Sequence, residues 1–154
     1  MTDNVTERLK RILRFAMDNE RLSTELYRGL AKSNAKPRLA RLCMRLACEE
    51  EEHLAKLSVF LASPMPALPD PAALRRIEGE DCSAPDGDPR SLDAVGLLRF
   101  ALAKEAAAHQ LYTDLAEASR EPSVKKLFTS LAEQEGAHRD RFELELERLS
   151  GPEK

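Results

Sequence analysis

Apolar and small residues recur at alternating spacings of three and four along four stretches of the chain. In the first stretch they are Leu9, Leu13, Ala16, Ser23, Tyr27 and Leu30, and in the second Leu39, Leu42, Leu46, Leu57 and Phe60. The third has Ala94, Leu98, Ala101, Ala108, Tyr112 and Leu115, and the fourth Val124, Leu127, Leu131, Phe142 and Leu149. That is the period of a helix with one buried stripe. It predicts helices over about Asn4–Ser33, Pro37–Ala62, Ser91–Ala118 and Pro122–Leu149. Asn4 with Glu7 has the form of a capping box, and Pro37 and Pro122 fit first helical positions. Gly151 and Pro152 close the last helix. Between the second and third stretches, Ser63 to Arg90 are rich in Pro, Asp and Gly. This crossover is expected to carry one short helix near Pro71–Glu78, with Asp70 as cap and Gly79 as stop.

The four stretches are two copies of one unit. Ile12–Ala31 align with Leu97–Ala116 at an offset of 85 residues, and the offset holds without a gap for Tyr27 and Tyr112, Pro37 and Pro122, and Leu46 and Leu131. The expected fold is therefore all-α, a four-helix bundle of two repeated antiparallel hairpins joined by a long crossover. It is expected to form a single domain over residues 1–154, with hairpins at 4–62 and 91–149 and the crossover at 63–90.

Each buried stripe is interrupted by charged or polar residues, and the interruptions match between copies. Glu20 fills the gap in the first stripe and Glu105 the gap in the third. Glu50 and His53 fill the second stripe, and Glu135 and His138 the fourth. In the run of four glutamates from Glu49 to Glu52, only Glu50 has a glutamate in the other copy; the counterparts of its neighbours are Gln134, Gly136 and Ala137. Glu50 is thus the inward residue and the others lie off the seam. Glu145 also falls in register, but its counterpart is Phe60, which sets it apart from the site. Glu20 and Glu50 each lie 15 residues from the turn near Ala35, so both sit about 22 Å from it at roughly 1.5 Å per residue.

Four carboxylates at one level of a core repel one another, and each desolvated charge costs several kcal/mol. No Lys or Arg is expected on the seam at this level. Two divalent ions would balance four glutamates and two neutral imidazoles. Glu-x-x-His places both side chains on one helix face, and oxygen donors with one imidazole per metal suit iron or manganese. The two tyrosines, Tyr27 and Tyr112, lie two turns after Glu20 and Glu105, within hydrogen-bonding reach of a ligand carboxylate. His109, four residues after Glu105, has Thr24 as its counterpart, so a metal role for it would serve one ion only.

Charge and composition narrow the remaining choices. The net charge of −3 makes no electrostatic case for nucleic acid or an acidic membrane. No apolar run approaches a membrane span, and the polar start MTDNVTERLK is not that of a signal peptide, so a cytoplasmic location is expected. Cys43, Cys48 and Cys82 form no C-x-x-C pair and are expected to be reduced thiols.

These residues resemble the rubrerythrin branch of the ferritin-like superfamily. The resemblance covers both hairpins and rests on Glu20 with Tyr27, the EEEH of Glu50–His53, Glu105, and the EQEGAH of Glu133–His138. It implies that Glu20, Glu50, His53, Glu105, Glu135 and His138 are ligands to two iron ions, with manganese or zinc as alternatives. It also implies reduction of hydrogen peroxide or oxygen, a role in oxidative stress, and an external electron donor, rubredoxin-like or flavin-linked. Two features depart from the family. Rubrerythrins with a rubredoxin-like site have two C-x-x-C pairs, which are absent here, and an additional carboxylate one turn after the third-helix glutamate is replaced by Ala108. Rival expectations are an iron-oxidising or iron-handling protein and a metal-binding bundle without catalytic activity. The oligomeric state is open, a homodimer included.

Overall fold

In the computed structural model, residues 2–33, 36–64, 69–82 and 93–150 are described. They form five helices: α1 (Thr2–Ser33), α2 (Pro37–Ala62), α3 (Pro71–Asp81), α4 (Ala94–Ala118) and α5 (Pro122–Ser150). No strand occurs among the described residues. α1 pairs with α2 and α4 with α5, the two hairpins meet through α1–α4 and α2–α5, and α3 lies across α1 and α4. This is the all-helical bundle expected from the repeat.

Several expected boundaries shift. α1 starts before Asn4 because Thr2 and Asp3 contain no helix breaker, so Asn4 lies inside the helix and is not its cap. Pro37 and Pro71 do occupy the start of their helices, where a missing N–H costs nothing. Asp70 stands at the cap of α3 but its side chain makes no capping bond. Gly79 does not stop that helix: its backbone is not left-handed, and α3 continues to Asp81. Glu78 helps hold α3 in place, accepting from Arg8 Nη1 at 2.7 Å and Arg11 Nε at 2.8 Å on α1. At the start of α4 the cap is Asp93, whose carboxylate accepts from Gly96 N at 2.8 Å. The expected start at Ser91, and the closing Gly151 and Pro152, lie outside the described residues.

The apolar core falls into two clusters. One joins Leu9–Met17 of α1 and Leu57 of α2 to Leu74 and Ile77 of α3 and to the facing parts of α4 and α5. The other joins Tyr27 and Leu30 to Leu39–Ala47, Leu98, Ala101 and Phe142. Between them runs a layer of buried polar groups that includes Glu20, Glu50, His53, Lys104, Glu105, Glu135 and His138. Hydrophobic burial on either side, at about 25 cal/mol per Å², must carry the cost of enclosing that layer. Leu74 and Ile77 are fully buried, so truncating either to Ala should cost about 2–5 kcal/mol.

Candidate metal centre

The helices deliver one carboxylate each from α1 and α4, and a Glu-x-x-His pair each from α2 and α5. None of Glu20, Glu50, His53, Glu105, Glu135 and His138 is more than 3% exposed. Their donor atoms form two overlapping groups. One is Glu20, Glu50, His53 and Glu135, and the other Glu50, Glu105, Glu135 and His138, with the atoms of each group within 4.8 Å of one another. Glu50 and Glu135 belong to both. His53 and His138 stack with ring centroids 5.8 Å apart.

The local distances are those of atoms gathered about shared points. His53 Nδ1 lies 2.8 Å from Glu135 Oε1 and 3.7 Å from Glu20 Oε2. His138 Nδ1 lies 2.8 Å from Glu50 Oε1 and 3.1 Å from Glu105 Oε2. Glu20 Oε2, Glu50 Oε2, His53 Nδ1 and Glu135 Oε1 are buried with no hydrogen-bond partner, even though the last two approach each other closely. Buried polar atoms are nearly always partnered. Four orphans of ligand chemistry converging on one place are what a cation would satisfy, and the oxygen-rich donor set with one imidazole per group fits iron or manganese.

Around this set the two copies brace each other. The Tyr112 hydroxyl donates to Glu20 Oε1 at 2.6 Å, and the Tyr27 hydroxyl donates to Glu105 Oε1. Each tyrosine thus holds the glutamate of the opposite hairpin. The outer ring nitrogens are held the same way: His53 Nε2 is 2.5 Å from Gln134 Oε1, and His138 Nε2 is 2.8 Å from Glu49 Oε1. An acceptor at Nε2 places the proton there and directs Nδ1 inward, the orientation that ligating imidazoles need.

Glu49 and Gln134 were not expected at the site, since each lies one residue off the seam. They occupy equivalent positions of the repeat, and both are long acceptors, which is the signal available in the sequence. Lys104 corrects another expectation. It is 7% exposed, stands beside Glu105, and its Nζ reaches Asn19 Oδ1, its own repeat counterpart, at 3.4 Å. A cation does therefore stand at this level, its stem reaching inward from the edge of the stripe. Glu145 is buried but away from the centre, paired with Arg38 at 3.2 Å and Arg148 at 2.9 Å.

His109 belongs to neither donor group. Its Nδ1 lies 2.7 Å from the Ala132 carbonyl oxygen. Its ring also packs on Gly136, where an added Cβ would come within 3.1 Å of Nδ1. That close approach accounts for a glycine inside α5, which otherwise costs about 1 kcal/mol relative to Ala.

A cavity of about 240 Å³ opens between α1 and α4 and reaches Glu20, Glu50, Glu135 and Tyr112. Lys104, Asn19 and Ala108 line it, as does Asp81 at the end of α3. Burial, with the facing Asp114 carboxyl, pushes Asp81 up to about 7.

Electrostatics in the metal-free site follow from crowding. Burial, then the facing carboxylates led by Glu105, hold Glu50 and Glu135 well above the usual carboxylate range. Burial also works to raise Glu20, but the neighbouring Glu50 carboxyl, His53 and the Tyr112 hydroxyl outweigh it and lower its value. Burial opposes charging of His138, yet its contacts with Glu105 and Glu50 prevail and push it up to about 10. Without metal, protons supply the compensation.

Part of this sequence has a counterpart among known families. Residues 96–154 match the family model named Rubrerythrin. The second hairpin is rubrerythrin-like. The matched span contains Glu105, Glu135 and His138; Glu20, Glu50 and His53 lie outside it and gather with them in the two donor groups. No curated protein and no solved structure matches the chain. No described helix is long and apolar enough to cross a membrane.

Proposed function

We propose that this chain is a rubrerythrin-type, non-haem di-iron oxidoreductase that reduces hydrogen peroxide or oxygen with electrons from an external donor, in the cytoplasm. The observation that carries the reading is the pair of overlapping four-residue groups sharing Glu50 and Glu135, with unpartnered buried donor atoms inside them. Glu20 and His53 would complete one metal position, Glu105 and His138 the other. When bound, iron supplies electrons and open coordination positions for an oxygen species.

The chain's own residues do the rest. Tyr27 and Tyr112 fix the terminal carboxylates, and Glu49 and Gln134 fix the imidazoles. The cavity between α1 and α4 admits a small molecule to the carboxylate level. Lys104 places one positive charge on its wall, which favours ligands that carry or develop negative charge.

The test begins with metal analysis, followed by anaerobic reduction and optical spectra on adding peroxide or oxygen. Reducing one peroxide to two waters takes two electrons and two protons, and the chain has no C-x-x-C pair to hold a second redox centre. Peroxide consumption without a donor should therefore stop after about one equivalent per two-metal site. Sustained turnover without a donor would instead point to manganese and disproportionation. The replacement of a carboxylate by Ala108, which lines the cavity, supports a second reading as an iron-oxidising protein. Iron uptake with oxygen consumption but no donor-linked peroxide reduction would favour it.

A further inference from the structure

Five arginines converge on the open groove between α2 and α5: Arg38, Arg41 and Arg45 from the first turns of α2, and Arg141 and Arg148 from the last turns of α5. This concentration stands out in a chain whose net charge is −3. Glu145, buried between Arg38 and Arg148, pins two of the guanidinium groups from beneath at 3.2 and 2.9 Å. Arg41 and Arg141 are exposed and have no ion-pair partner among the described residues.

The repeat provides an internal control. At the other end of the same two helices, the positions equivalent to Arg38, Arg41 and Arg45 are Ser123, Lys126 and Ser130. Those equivalent to Arg141 and Arg148 are Lys56 and Ser63, and Glu145 corresponds to Phe60. Five arginines thus stand against two lysines. The basic groove belongs to one end only, so it does not follow from the bundle architecture.

That end is also connected to the polar layer. Arg45 Nε lies 3.9 Å from Glu49 Oε2, and Glu49 Oε1 lies 2.8 Å from His138 Nε2. Arg45 precedes Glu50 by five residues, which is about 7.5 Å along the helix axis. The groove therefore meets the outer edge of the His138 imidazole through a single side chain.

We propose that this arginine groove is the docking surface for the electron donor, a small carrier protein with an acidic face around its redox group. This inference rests on the di-iron reading above. Guanidinium groups recognise surface carboxylates with two parallel hydrogen bonds, and a groove of one sign steers an oppositely charged partner. Docking here places the carrier's redox group nearest His138. Each docked carrier gives up one electron and is itself oxidised. Two docking events supply the two electrons that, with two protons, turn one hydrogen peroxide into two waters.

The test uses reduced rubredoxin of net negative charge as the probe and the iron-loaded protein as acceptor. Rubredoxin oxidation is followed by stopped flow over a series of salt concentrations, and zinc-substituted rubredoxin is titrated by NMR to read binding without electron transfer. Arg41→Glu with Arg141→Glu should weaken binding and lower the second-order rate about ten-fold or more at low salt. Its salt dependence should flatten, while iron content, thermal midpoint and the rate of reduction by dithionite stay as in the wild type. Lys56→Glu with Lys126→Glu, at the opposite end, should change the rate less than two-fold. Wild-type binding and rate in the arginine variant would overturn the proposal. So would a loss of rate that tracks dissociation of a dimer, because the groove would then be covered by a second copy. If the dithionite-reduced wild type fails to reduce peroxide yet binds rubredoxin through the groove, the di-iron reading fails and the docking surface stands.

Discussion

The two hairpins each present the same three donor residues and one tyrosine, at a constant offset, yet their surroundings differ. Where the first copy has Asn19, the second has Lys104; where the first has Glu49, the second has Gln134. Thr24 faces His109 in the alignment, and Phe60 faces Glu145. The matched residues all lie in the layer that two ions would share, where any change is felt by both halves. Asn19 and Lys104, and Glu49 and Gln134, lie one position outside it, and the other unmatched pairs lie farther off. The difference teaches that the repeat preserves what a symmetric pair of cations needs, and that the inequality between the two metal positions is built by their neighbours. Glu49 supports His138 with a carboxylate, while Gln134 supports His53 with an amide.

The shared layer offers the largest effect. Glu50 and Glu135 belong to both donor groups, whereas Glu20 and Glu105 each belong to one. Glu50→Ala or Glu135→Ala should therefore drop the metal content from about two ions per chain to nearly none, while Glu20→Ala or Glu105→Ala leaves about one. Metal analysis after desalting reads the difference. Equal losses in all four variants would break the assignment of bridging and terminal roles.

Removing metal should weaken both halves together, with a defined pH dependence. In the metal-free protein Glu50 and Glu135 are raised, so the stability they contribute is complete below the ordinary carboxylate value and is lost as pH rises through their folded values. His138, raised to about 10, acts in the same sense: its contribution is complete below its unfolded value and is lost as pH rises through about 10. Glu20 is lowered, so its contribution is present above its unfolded value and is lost on acidification. Between about pH 5 and 9 the metal-free protein should thus lose stability as pH rises. Metal binding replaces those protons, and a free ion at a hundred times its Kd adds about 2.7 kcal/mol per site. The gap in thermal midpoint between the loaded and stripped protein should widen with pH. A constant gap would separate metal binding from charge compensation.

The helices and the six donors were legible because stripe and repeat are independent signals that agree at every one of those positions. The ends were less so. Asn4 has the chemistry of a cap, but nothing before it breaks a helix, and Gly79 stays helical because its backbone makes no left-handed turn. Lys104 and Glu49 escaped a stripe-based reading for a common reason. Both lie one residue from an inward glutamate, and a long side chain can curl back over the edge of the stripe or reach the facing helix. The crossing of the tyrosine bonds was also hidden. Along the chain Tyr27 is nearest Glu20, and only the packing of the two hairpins turns it toward Glu105.

Exchanging the two outer acceptors makes the smallest change and asks the most pointed question about the inequality of the copies. A carboxylate accepting from His138 Nε2 makes that imidazole a stronger donor at Nδ1 than an amide makes His53. The position completed by Glu105 and His138 should therefore fill first, giving two separable steps in a calorimetric titration of the metal-free protein with ferrous iron under anaerobic conditions. Glu49→Gln should weaken that step by about ten-fold, the low end of what such outer partners contribute, and bring the two steps together. Gln134→Glu should strengthen the other step and bring them together from the opposite side. Glu49 also pairs loosely with Arg45 at 3.9 Å, so Arg45→Met serves as the control for a purely structural effect and should leave the separation of steps almost unchanged. If Glu49→Gln and Gln134→Glu shift both steps equally, the copies are equivalent toward metal, and the differences around them serve something else.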